Sequence, residues 1–212
     1  MKRFASLSHN KRDIFIAATA IALALSISIA YANVFVYMPI EVKLEPVAPP
    51  VYFEYGSNAG NPDLGSNNVI MVSLGSSKES LTVTIHPTYE VSYYKNVSII
   101  VNTDNKVYYI SFKVEEPAIL PPGSILYLCV YESNAPRKLW TSPANPRPIP
   151  VDVLCIYLLP YYANVAYEHI IYPNSKLELD VYVYIPQGAP LPSQTSSKIH
   201  LIYTPTYEEP GG

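Results

Sequence analysis

The chain has 212 residues, with 20 Tyr, 21 Pro, 8 Gly, 15% charged residues and a formal net charge of −3. Removing residues 1–32, which carry Lys2, Arg3, Lys11 and Arg12 against Asp13 alone, leaves 10 basic and 16 acidic residues, a net of −6. An acidic chain without a Lys/Arg cluster excludes nucleic acid as a partner, and this density of Pro excludes long helices beyond the N-terminus, while Tyr and β-branched residues suit pleated sheets.

The first element is an export signal. A basic stretch precedes Ile14–Ala32, IFIAATAIALALSISIAYA, which has no charge, and Ala30-Tyr31-Ala32 has the small-x-small form of a signal-peptidase site. Cleavage is expected after Ala32. Two other readings stay open: a retained anchor, since 19 uncharged residues can just span a bilayer, and a pilin-type leader cut near Asp13. The expected organisation is a signal peptide over 1–32, an N-terminal strand and Pro-rich spacer over 33–50, and a β-sandwich over 51–212. The mature form is expected to be secreted, at or beyond the cell surface, and out of the membrane.

Residues 33–45 read NVFVYMPIEVKLE, and every even position is apolar: Val34, Val36, Met38, Ile40, Val42 and Leu44. Period two predicts a strand with one apolar face, followed by a stiff spacer, Pro46-Val47-Ala48-Pro49-Pro50. It reads either as the first strand of its own sandwich or as a donor strand that fills a groove in the next subunit. Six such side chains buried at roughly 1.5–3 kcal/mol each give about 10 kcal/mol or more before ordering costs. Pro39 lacks an N–H and fits only an edge position or a bulge.

Beyond the spacer, strands are predicted over Val51–Tyr55, Val69–Leu74, Leu81–His86, Val91–Asn102, Lys106–Glu115, Ser124–Glu132, Val151–Leu159, Lys176–Ile185 and Lys198–Tyr203. Residues 176–185, KLELDVYVYI, alternate with Leu177, Leu179, Val181, Val183 and Ile185 on one face. Asn102-Thr103-Asp104-Asn105 reads as a hairpin turn. Segment 133–150, SNAPRKLWTSPANPRPIP, reads as a long polar connection. Regular strand spacing without a helical period predicts an all-β, jelly-roll-like sandwich.

Cys129 and Cys155, 26 positions apart, are the only cysteines and are expected to pair in an exported protein. Two free buried thiols are the alternative. Asn96-Val97-Ser98 is a glycosylation acceptor, usable if Asn96 faces outward. His86, His169 and His200 show no metal spacing, and Glu168-His169 reads as a surface pair. No Gly-x-Ser-x-Gly elbow and no phosphate loop occur, so the sequence gives no ground for an enzyme. Loop 56–68, GSNAGNPDLGSNN, offers oxygen ligands, Asp63 among them, although a solvated turn is the simpler reading.

A signal ending in a small-x-small site, a strand starting Asn-Val-Phe, and YKNVSIIVNTDNKVYYISFKV at 94–114 occur in that order. This organisation resembles the TasA/camelysin-type biofilm fibre subunits and their archaeal relatives that form bundling pili, threads and cannula tubes. The resemblance covers most of the mature chain and rests on organisation, not on an invariant motif. It implies a jelly roll polymerised by donor-strand complementation into a filament or tube of like subunits; Pro-rich loops and scarce Met and Cys add the expectation of a thermophilic archaeon as its source. Val34 through Leu44 would supply the donor side chains. The cannula-type relatives further imply calcium at subunit contacts, with Asp63 as the candidate ligand. Camelysin's described protease activity is not carried over, because no protease constellation is present. The rival expectation is a monomeric sandwich that binds carbohydrate or a surface through Tyr residues and Trp140. A jelly-roll hydrolase has only fold-level possibility behind it.

Overall fold

A computed structural model describes residues 7–32, 38–142, 145–162 and 167–207. The chain divides into two units, Met1–Pro46 and Val47–Gly212.

The first unit holds one helix, α1 (Leu7–Ala32). Its apolar side chains are not gathered on one face, and Ile14, Phe15, Ile16, Ile21, Leu23 and Leu25 are all more than half exposed. Thr19 and Ser26 turn their hydroxyls back onto the carbonyls four residues earlier, at 2.8 and 2.7 Å. Polar groups are thereby masked within an apolar rod. Residues 38–46 carry no secondary structure.

The second unit is all-β. Its strands are β1 (Val51–Tyr55), β2 (Met71–Leu74), β3 (Leu81–Thr84), β4 (Glu90–Asn102), β5 (Tyr108–Glu116), β6 (Ile125–Glu132), β7 (Lys138–Ser142), β8 (Asn145–Val151), β9 (Leu154–Tyr157), β10 (Tyr167–Ile171), β11 (Lys176–Ile185) and β12 (Lys198–Thr204). A five-stranded antiparallel sheet runs β1-β4-β11-β6-β9, and a three-stranded one runs β10-β5-β12. β2-β3 and β7-β8 form separate hairpins. The apolar faces of the two larger sheets share one core: Val97, Ile100, Leu177, Leu179 and Val183 from the first meet Ile110, Phe112, Val114 and Ile171 from the second. This is the two-layer sandwich that the strand spacing predicts.

β11 lies at the centre of the five-stranded sheet. Leu177, Leu179, Val181, Val183 and Ile185 face the core as their alternation requires. The opposite face is buried too: Glu178, Asp180 and Tyr182 are 6%, 0% and 0% exposed.

Three sequence expectations change. The turn Asn102–Asn105 is not a hairpin, because β4 and β5 belong to different sheets. The chain arches from one layer to the other there. The Asn102 amide steadies the arch, donating to the carbonyls of Lys106 (2.8 Å) and Tyr172 (2.9 Å) while its Oδ1 accepts the Asp104 N–H (2.9 Å). The polar connection 133–150 contains the hairpin strand β7 and most of β8. β10 covers residues where the sequence suggested only a surface pair. Glu168 is exposed there, while His169 falls on the side of Tyr167 and Ile171.

Candidate functional site

Val34 and Val36 lie outside the described residues. The other four side chains of the apolar row, Met38, Ile40, Val42 and Leu44, are 82%, 87%, 75% and 84% exposed. A strand over 38–45 is not formed, nor do these residues belong to any of the sheets. A strand is held by its ladder, and no ladder includes these residues. Glu41 and Lys43 form an exposed ion pair at 3.8 Å, as two residues apart on one side of an extended chain can.

Cys129 and Cys155 are directly opposite one another on β6 and β9, with Cα atoms 4.0 Å apart, and their sulfurs are bonded. Cys129 is also opposite Asp180 on β11, so the disulfide lies on the outer face of the five-stranded sheet. The same face carries a row of tyrosines across four strands. Tyr93 pairs with Tyr182, Tyr182 with Tyr127 and Tyr127 with Tyr157, and the ring centroids are 6.4, 5.8 and 5.2 Å apart. Tilted and edge-on rings at these spacings add stability beyond the area they bury.

Asn96, the expected glycosylation acceptor, does not face outward in this fold. It is 8% exposed and sits in a bulge of β4, where the register against β11 shifts between Leu179 and Val181. Its φ of 45° is left-handed, which Asn tolerates better than most residues. The loop after β1 donates to three carbonyls at this bulge. Asn58 Nδ2 donates to Lys95 O (2.6 Å), Asn58 N–H to Asn96 O (3.2 Å) and Gly56 N–H to Val97 O (3.2 Å). Gly56 permits this approach, since a Cβ there would lie 2.0 Å from Asn96 O. The loop therefore covers the residue that the tripeptide motif marks.

Asp63, the candidate calcium ligand, is engaged within its own domain. Its side chain is 1% exposed. Oδ1 accepts the Leu64 N–H (2.7 Å), while Oδ2 accepts the His86 N–H (2.7 Å) and meets His86 Nδ1 at 2.9 Å. Burial alone would raise its pKa, but these hydrogen bonds and the Tyr94 hydroxyl outweigh it and hold the carboxyl below its ordinary value. Burial, then the Asp63 charge, pushes Tyr94 up. Asp63 fastens loop 56–70 to the end of β3. Among the described residues no group of three or more His, Cys, Asp or Glu could hold a metal ion.

The most concentrated chemistry in the domain is a cluster that the sequence does not announce. Arg137, just before β7, lies over the outer face of β11. Its Nε and Nη2 each donate to Asp180 at 2.9 Å, Nη2 to Glu178 at 2.5 Å, and Nη1 to Ala135 O at 2.7 Å. The guanidinium stacks 4.3 Å from the Tyr131 ring centroid. Asp180 also accepts the Asn96 N–H (2.7 Å) and the Tyr93 hydroxyl (2.5 Å), and Glu178 the Asn134 N–H (3.0 Å). The Asp180 and Glu178 carboxylates raise the Arg137 pKa against its burial, and burial followed by the Asp180 bond raises Tyr93. No atom of this cluster is poised for reaction: each carboxylate oxygen is occupied, and the Arg side chain is 9% exposed. Its chemistry is structural, joining the β7-β8 hairpin, the β4 bulge and the central strand.

His169 borders an open cleft of about 440 Å³ with Val130, Tyr131, Glu132, Lys138 and Asp152. Burial lowers the His169 pKa, with Glu132 opposing. Among the described residues its lining includes no Ser, Thr or Cys, and Lys138 and Asp152 are paired with each other at 2.9 Å. No family model matches the chain, and no curated protein matches it.

Proposed function

We propose that this chain is the structural subunit of an extracellular filament or tube. Export frees it from the cell, residues 33–45 of each copy complement the sandwich of the next, and the jelly-roll-like domain serves as the building block. The observation that supports this most is the apolar row Met38, Ile40, Val42 and Leu44, which is exposed and joins none of the sheets. The disulfide and the satisfied charge cluster suit a unit that must last outside the cell.

The test is negative-stain microscopy of the protein secreted by an exporting host with its own N-terminus, beside a version lacking Asn33–Glu45, each with and without calcium. Fibres or tubes from the complete chain alone support the reading. Fibres from both chains, or from neither, overturn it.

A monomeric surface- or carbohydrate-binding module is the second reading. Leu139 and Trp140 of β7, 45% and 50% exposed, and Tyr161, 94% exposed, favour it as stacking platforms. Saturable saccharide binding by a chain that stays monomeric would decide for it.

A further inference from the structure

We infer that the acceptor for the N-terminal segment is the free edge of β12, and that Met38–Leu44 of a second copy adds there as a new edge strand. This rests on the donor-strand reading above and specifies its partner surface.

The sandwich has four edge strands: β1, β9, β10 and β12. The edge of β1 is already used, since Phe53 N–H donates to Lys78 O at 2.9 Å. The edge of β9 is used at Tyr157, whose N–H donates to the Tyr167 hydroxyl at 3.3 Å, which leaves β10 and β12. Among the described residues, the main chain of Lys198–Thr204 makes no backbone hydrogen bond beyond its ladder with β5. β12 is also the longest of the four, with 7 residues against 5, 4 and 5. Unpaired edges of this length are templates for another strand.

The core is only partly covered at this edge. On β5 the inward residues Ile110, Phe112 and Val114 are 1%, 2% and 4% exposed. On β12 their neighbours Ile199, Leu201 and Tyr203 are only half-buried. An added strand with an apolar inner face would cover them, and Met38, Ile40, Val42 and Leu44 form such a face over the length of β12.

Pro39 fixes the orientation. In a strand, the N–H and C=O of residue i point to one lateral side and those of residue i+1 to the other. A strand added at an edge has one neighbour, so the N–H that Pro39 lacks costs nothing if the odd residues face away. The even residues then bond to β12 and point inward, while Glu41 and Lys43 lie on the outer face with His200 and Ile202.

Two experiments on the full chain, secreted with its own N-terminus, test this. Glu41→Pro is expected to assemble within twofold of the parent by sedimentation, and Val42→Pro to lose at least tenfold. Equal loss, or the reverse order, overturns the orientation. Both positions are exposed, so the domain's melting temperature should not move. Second, Glu41→Cys protein is mixed with copies carrying Cys at His200 or Ile202, at Tyr52 of β1, or at Glu168 of β10. Disulfide-linked dimers at least tenfold more abundant with a β12 cysteine support the assignment. Cross-linking to β1 or β10, or to none, overturns it. If polymers form without Asn33–Glu45, the donor-strand reading itself fails. If they need that segment but cross-link elsewhere, only the β12 assignment does.

Discussion

Arg137→Met removes the cation of the buried cluster while keeping most of its volume. Asp180 and Glu178 are then left with 0% and 8% exposed side chains and no counter-charge. Removing one partner of a buried ion pair costs about 3–5 kcal/mol, because the remaining charge stays desolvated. The lost stacking on Tyr131, at 4.3 Å, adds to this. At about 2.1 cal/mol/K per residue, a domain of roughly 165 residues should melt about 9–14 °C lower. Urea titration and calorimetry measure the loss. The triple variant Arg137→Met, Glu178→Gln, Asp180→Asn separates the pair from its burial. It should recover more than half of the deficit, since no buried charge remains unpaired and both amides still accept hydrogen bonds. A loss below about 1 kcal/mol for Arg137→Met would refute the reasoning, since that is the magnitude of an exposed pair.

Replacing both Cys129 and Cys155 with Ala should cost about 2–5 kcal/mol, read as a lower urea midpoint that reductant no longer shifts. Asp63→Asn should destabilise the domain at neutral pH. A carboxyl whose folded pKa is depressed stabilises above its unfolded value of about 3.9 and loses that contribution as pH falls through the folded one. The melting temperatures of variant and parent should therefore converge toward pH 2, and a gap that widens on acidification would refute the assignment. Mass spectrometry of protein secreted from a glycosylating host should find the peptide bearing Asn96 unmodified, because the bulge and loop 56–61 cover its side chain. Full occupancy in the folded protein would mean that this loop does not close.

What the sequence disclosed was whatever repeats within a strand. The alternation of 176–185 identifies the core face of β11, and β1 and β12 are legible from their Val, Ile, Leu and Tyr runs. What it concealed depends on distant partners. Glu178 and Asp180 look like the solvent face of an amphipathic strand until Arg137, more than 40 positions away, closes over them. β8, NPRPIPV, contains three prolines and shows no strand pattern, yet a two-stranded hairpin needs only part of its N–H groups. The bulge at Asn96 has no local marker, and a tripeptide motif says nothing of burial. The Asn-rich corner after β4 has the residues of a hairpin turn. Which sheet the next strand joins is set by the core, not by the turn.

Donor-strand assembly also has to overcome its own ordering cost. Burying Met38, Ile40, Val42 and Leu44 at roughly 1.5–3 kcal/mol each yields about 6–12 kcal/mol. Fixing seven backbone residues costs about 7–14 kcal/mol, so side-chain burial alone roughly cancels. The margin lies in main-chain bonds to the acceptor edge and in how little freedom the segment has to lose. Pro39 removes one backbone dihedral of these seven residues before association. This makes Pro39→Ala a discriminating change. In a central strand the restored N–H would complete a ladder, and assembly would strengthen. At an outer edge the N–H meets only water, and the added freedom of the unassembled chain costs about 0.4–1 kcal/mol, a two- to fivefold rise in the critical concentration for assembly. Measuring that concentration by sedimentation for parent and variant decides between the two. A fall would place Pro39 between two strands and remove the reason for assigning the segment to an edge.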